Sequence, residues 1–62
     1  MIKITRDEFN GIVTNADNRC INKYLADREW FVYEFSDRTT LSVCRNMIVV
    51  ETSFSTMHLS AE

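Results

Sequence analysis

The sequence has no proline and a single glycine, Gly11. The usual punctuation of turns is missing, so turns must be made by Asn, Asp and Ser. Cysteine is scarce as well. Cys20 and Cys44 are too few for a small secreted scaffold, which usually carries about two to four bridges. With the lone histidine, His58, at wide spacing, they form no zinc signature. Free cysteines of this kind are ordinarily buried and reduced; a single Cys20–Cys44 bridge is the alternative. No apolar run approaches the ~18 residues of a membrane span. The N-terminus, Met1 to Glu8, turns charged too early for a secretory signal. The chain therefore reads as cytoplasmic, with an already processed secreted domain as the exception.

An excess of charge of either sign is lacking too. Seven basic residues face nine acidic ones, for a net charge of -2. The basic residues are scattered, without the cluster that neutralises phosphates, so nucleic acid is an unfavoured partner. The closest acidic pair, Asp7-Glu8, is far from the carboxylate run of a DNA mimic.

What is present suffices for one small domain over residues 1–62. Leu, Ile, Val and Phe number 17 of 62, above the roughly 20% below which disorder is expected. A chain this short buries only about 60% of its unfolded surface, so its core is thin and a deep pocket has little room.

Ile2 and Ile4 flank Lys3 with the period of a strand. Thr5-Arg6-Asp7-Glu8 then matches a capping box, with Ile4 and Phe9 placed for a hydrophobic staple. Asp7 and Glu8 complement the positive end of the helix dipole. Phe9, Ile12, Val13, Ala16, Cys20 and Tyr24 recur at spacings of three and four, which predicts an amphipathic helix running to about Leu25. Its propensity is poor, because Gly11 and four asparagines lie inside it. A kink near Asn15 is the alternative to a continuous helix. Ala26-Asp27-Arg28 is the exit loop.

From Glu29 the pattern changes. Trp30 to Phe35, Thr40 to Cys44 and Met47 to Phe54 read as strands. Ser36 to Thr39 forms one turn. Arg45-Asn46 forms a two-residue hairpin, where Asn46 tolerates the positive φ such turns need. That hairpin pairs Cys44 with Met47, Val43 with Ile48 and Leu41 with Val50, and puts Leu41, Val43, Ile48 and Val50 on one face. The first hairpin adds Phe31, Tyr33 and Phe35 to that face if its loop has odd length, with Phe35 opposite Leu41. Residues 55–62 form a tail to which the pattern assigns no element, flexible or folded back. The expected architecture is α+β: a β-α-β-β-β chain with one N-terminal amphipathic helix packed on a small antiparallel sheet. Its expected core runs from Phe9, Ile12, Val13, Ala16, Cys20 and Tyr24 on the helix to the inward residues of the strands.

The other face of the sheet carries the functional expectation. It holds Trp30, Val32, Glu34, Thr40, Ser42, Cys44, Met47, Val49 and Glu51. A solvated sheet face usually reads polar, and apolar patches mark interaction sites. Trp30, Val32, Met47 and Val49 are the expected anchors for a protein partner, with Glu34, Arg45 and Glu51 as a polar rim. The alternative is that the tail covers this face with Met57 and Leu59.

Catalytic readings are thin. Nothing places Cys44 and His58 together as a nucleophile and base. Glu34 and Glu51 read as solvated charges. No glycine-rich phosphate loop occurs. The aromatic trio Phe31, Tyr33 and Phe35 imitates a base-stacking sheet, yet the same trio is needed under the helix. No catalytic residue, metal ligand or cofactor is therefore assigned. In type, the chain is similar to small accessory proteins of phages and other mobile elements, a likeness that rests on no motif and carries no residues over. It implies a non-enzymatic inhibitor or modulator that docks on a host enzyme or defence complex. The alternatives are a nucleic-acid-associated regulator using Arg19, Lys23, Arg28 and Arg45, and a structural homodimer formed through the apolar sheet face.

Overall fold

A computed structural model describes residues 1–61; Glu62, the end of the expected tail, lies outside the described residues. The described residues form one helix and a six-stranded mixed sheet, an α+β architecture. The elements in chain order are β1 (Ile2–Ile4), α1 (Arg6–Arg19), β2 (Asn22–Ala26), β3 (Trp30–Glu34), β4 (Thr40–Cys44), β5 (Met47–Glu51) and β6 (Thr56–Ala61). The sheet order is β1-β6-β5-β4-β3-β2. Strands β2 to β6 form an antiparallel meander, and β1 joins its far edge parallel to β6. The sheet thus has two more strands than the sequence pattern suggests, and it is mixed rather than antiparallel.

Helix α1 begins as its capping box dictates. Thr5 donates its backbone N–H to Glu8 Oε1 at 2.9 Å, and Glu8 returns its N–H to Thr5 Oγ1 at 3.1 Å. Two donors that no helical carbonyl can reach are satisfied. Arg6 adds a hydrogen bond to Asn46 Oδ1, tying the helix start to the β4–β5 turn. The far end departs from expectation. The helix is continuous through Asn15 but stops at Arg19, with Cys20 as C-cap. Tyr24 and Leu25 are not helical; they belong to β2 and are 45% and 54% exposed. The period-3.6 stripe fades at Cys20, and Asn22 to Ala26 gains a full ladder of partners on β3. For a segment of weak helix propensity, those non-local bonds win.

The tail also resolves into structure. Met57, Leu59 and Ala61 alternate with Thr56, His58 and Ser60 in β6, and Leu59 and Ala61 are buried. The last expected strand is shorter than Met47–Phe54: β5 stops at Glu51, and a turn follows in which Thr52 Oγ1 accepts the N–H groups of Phe54 and Ser55. Phe54, expected in a strand, sits at the turn tip and is 97% exposed.

The β4–β5 register matches expectation pair for pair: Cys44 with Met47, Val43 with Ile48 and Leu41 with Val50. The β3–β4 loop has odd length, but the register is shifted by two residues, with Tyr33 rather than Phe35 opposite Leu41. A slip of two leaves every side chain on its face. Turn chemistry supplies the reason. Phe35 donates to Thr39 O at 3.0 Å and Asp37 Oδ1 accepts from Thr39 N–H at 3.0 Å, which closes the loop before Phe35 can reach Leu41. Lacking glycine, the turns place Asp27, Arg28, Arg38 and Arg45 at positive φ. At the β4–β5 turn the positive φ falls on Arg45, not on Asn46.

The core lies between α1 and one face of the sheet: Phe9, Ala16, Tyr33, Leu41, Ile48, Leu59 and Ala61, with Ile4, Ile12, Val13, Cys20, Phe35, Val43 and Val50 packed around them. Phe31 shares that face but lies beyond the helix's cover, 45% exposed. The geometry is simple: one helix about 10 Å wide cannot roof six strands spanning about 24 Å.

Candidate functional site

Because α1 covers one face, alternation along each strand leaves the opposite face outward. Pairing places its side chains in three rows. The row nearest the Arg45–Asn46 turn holds Ala26, Trp30, Cys44, Met47, Ser60 and Lys3. The middle row holds Tyr24, Val32, Ser42, Val49 and His58. The third holds Asn22, Glu34, Thr40, Glu51 and Thr56. Two rows are mainly apolar and aromatic in the middle of the sheet; the third is polar and carries two carboxylates. No described element packs over this face. The tail does not cover it, since β6 lies alongside β5 with Met57 and Leu59 on the helix side.

Six of the seven residues expected at the interface share this face: Trp30, Val32, Glu34, Met47, Val49 and Glu51. The seventh, Arg45, stands at its rim in the β4–β5 turn, exposed. The four apolar residues occupy β3 and β5, two strand spacings apart, or about 10 Å. Between them β4 offers only Ser42 and Cys44. Val32 is 8% exposed, so it forms the floor of the face rather than a protruding anchor. Trp30, Met47 and Val49 are half-buried and available.

Glu34 does more than solvate the rim. Its Oε1 accepts from Asn22 Nδ2 at 2.9 Å. Asn22 Oδ1 in turn accepts the backbone N–H of Lys23 at 3.0 Å. The outer face is thereby coupled to the free edge of β2. Tyr24, His58, Ser60 and Lys3 were not legible as parts of this face. Tyr24 sits at helical spacing from Cys20, and the other three lie on strands whose place in the sheet the pattern does not give. The alternation of Asn22, Tyr24 and Ala26 against Lys23 and Leu25 is the signal that could have revealed the strand.

Other constellations come apart. Cys44 and His58 lie on strands separated by β5 and in different rows, about 10 Å or more apart. Cys20 and Cys44 are free. Cys20 packs into the helix-side core, and Cys44 faces outward on the other side of the sheet. Glu34 and Glu51 share a face but stand on either side of Thr40. Tyr33, the centre of the aromatic trio, is 3% exposed beneath the helix. Arg28 and Arg45 sit at one end of the sheet and Arg19 at the helix C-terminus, so the four basic residues do not converge. Lys23 is held over the helix side, bonded to Asp17 at 2.9 Å and lying 5.0 Å from the Tyr33 ring centroid. The Asp17 carboxylate first, and Tyr33 second, raise the Lys23 pKa. Among the described residues no three His, Cys, Asp or Glu side chains gather where a metal could bind. No described helix is long and apolar enough to cross a membrane.

No protein-family model, curated protein or solved structure matches the chain.

Proposed function

We propose that the chain is a small, non-enzymatic protein-binding module that docks on a partner through the outer face of its sheet. The observation that carries this reading is the uncovered face itself, with the half-buried Trp30, Met47 and Val49 on β3 and β5 and a polar row of Glu34, Thr40 and Glu51 beside them. A domain with so thin a core gains little by leaving apolar side chains in water. Trp and Met are residues that interfaces favour. The partner class is a host enzyme or defence complex, and the mode of action is occlusion, as for small accessory inhibitors of mobile elements. The cytoplasm is the matching compartment.

The test uses tagged wild type, Trp30→Glu and, as a control from the helix side, Met57→Glu. Each is checked for folding by circular dichroism and then used to capture protein from host lysate. A species held by the wild type and by Met57→Glu, but lost from a folded Trp30→Glu, supports the outer face. Unfolding of Trp30→Glu, or capture that it does not disturb, overturns it.

A further inference from the structure

The two edges of the sheet are built differently. Edge β1 has three residues with Lys3 at its centre. Short length and a central charge are common ways to keep an edge from pairing. Edge β2 has five residues in unbroken register with β3; its one charge, Lys23, is off-centre and bonded to Asp17, and two large side chains, Tyr24 and Leu25, are exposed.

The direction of its backbone groups follows from two independent bonds. Phe35 donates to Thr39 O, so the odd residues of β3 face β4 and its even residues face β2. Asn22, Tyr24 and Ala26, opposite Glu34, Val32 and Trp30, therefore bond to β3. Lys23 and Leu25 turn their N–H and C=O groups outward. The Lys23 N–H agrees, since it is taken by the Asn22 side chain.

These directions restrict how a second copy can add. Outward residues must pair with outward residues. A two-fold axis at Lys23 would oppose two ammonium groups, and one at Leu25 would run the ladder into the turn at Asp27, whose φ is 52°. An axis at Tyr24 avoids both. It pairs Lys23 with Leu25 of the second copy and Asn22 with Ala26, and it opposes no like charges. The two Tyr24 rings then meet across a non-hydrogen-bonded pair, where side chains come closest.

We propose that β2 pairs antiparallel with β2 of a second copy about a two-fold axis at Tyr24, joining the two sheets into one. The occupant of this edge is a copy of the same chain, because the one antiparallel register that uses every residue of the strand matches each outward N–H and C=O of Lys23 and Leu25 with a partner and opposes no like charges. Asn22 must release the Lys23 N–H as the ladder forms. The inference rests on the edge and is independent of the docking face, which pairing would extend across the seam.

Sedimentation equilibrium of the untagged chain, from micromolar to millimolar, reads the association. A dimer that Tyr24→Lys weakens at least ~100-fold supports the proposal, since opposed like charges cost several kcal/mol. Should Tyr24→Lys fail to fold, Tyr24→Cys under mild oxidation replaces it. Non-hydrogen-bonded Cα atoms about 4.5 Å apart fall within disulfide range, and peptide mapping separates that bond from Cys20 and Cys44. A symmetric cross-link at position 24, with none from Lys23→Cys, supports the register. Three results overturn it: a wild type that stays monomeric, no cross-link at position 24, or a dimer lost with Trp30→Glu but kept with Tyr24→Lys.

Discussion

Ile48 and Val49 are neighbours in β5 and occupy different environments. Ile48 points toward α1, opposite Val43 on β4 and Leu59 on β6, and is 0% exposed. Val49 points the other way, opposite Ser42 and His58, and is half-buried with no described element above it. The pair separates the two tasks of the sheet. One face carries the core beneath α1, and the other has no described element over it. Ile48→Ala is the largest expected effect. Loss of a fully buried Ile costs about 2–5 kcal/mol, against a total of roughly 3–9 kcal/mol for a chain of this length. Urea titration should find the variant near or past its unfolding midpoint in buffer. Val49→Ala should lose less than about 1 kcal/mol. Equal losses would break the comparison and make the outer face part of the core.

The capping box is the next largest. Thr5→Ala removes the acceptor for Glu8 N–H and should cost about 1 kcal/mol, read as a lower midpoint with an unchanged m-value. The proposed docking through the outer face should be unaffected, because Thr5 lies at the helix start on the opposite side.

The same contrast separates the features that are legible in the sequence from those that are not. A two-residue turn and clean alternation fix the β4–β5 register locally, so Val43–Ile48 and Leu41–Val50 were legible. Face assignment needs only parity, so the sequence pattern puts Trp30, Val32, Glu34, Met47, Val49 and Glu51 on the outer face, where the fold has them despite the two-residue slip between β3 and β4. Burial needs neighbours. Val32 is nearly closed off because Tyr24 stands beside it on β2, and Tyr24 sits at a spacing that continues the helical stripe. The helix end and β6 depend on ladders to distant strands, and their local pattern is ambiguous: Cys20 and Tyr24 fit a helix, while Tyr24 and Ala26 fit a strand.

Gly11 and Arg45 test the comparison in the opposite direction, by gain. A Cβ at Gly11 meets nothing within 4 Å, so Gly11→Ala should stabilise the helix by about 0.5–1 kcal/mol. Gly11 lies on α1, on the other side of the sheet from the outer face. Arg45 holds φ at 50°, a conformation that costs a side-chain-bearing residue about 1–2 kcal/mol. Glycine removes that cost but loses about 0.4–1 kcal/mol to unfolded-state entropy, so Arg45→Gly should gain about 0.5 kcal/mol. Asn46→Gly should show no such gain. Arg45 also stands at the rim of the outer face, so Arg45→Gly should raise the melting temperature while weakening partner capture. A gain in both would remove Arg45 from the proposed interface.

The smallest effect is that of pH, and it belongs to the helix side and its turns. The Thr5 backbone N–H lowers the Glu8 pKa, and the Thr39 backbone N–H lowers that of Asp37. A carboxylate with a depressed folded pKa adds stability above its unfolded value and loses it as pH falls through the folded value. Stability should therefore decline as pH drops below about 4.5. Lys23 has the opposite sign. Its raised pKa adds stability that is complete below the unfolded value of about 10.4 and lost as pH rises through the folded value. All three groups are exposed to solvent, so each slope should be shallow and should flatten further in salt. Glu8→Gln isolates one of them. Glutamine can still complete a capping box, so the helix start survives while the Glu8 share of the acid slope disappears. Thermal melts of wild type and Glu8→Gln between pH 3 and 7 should converge toward the acid end. Parallel curves would mean that the carboxylate charge adds nothing at the helix start, and that the capping hydrogen bonds alone set its stability.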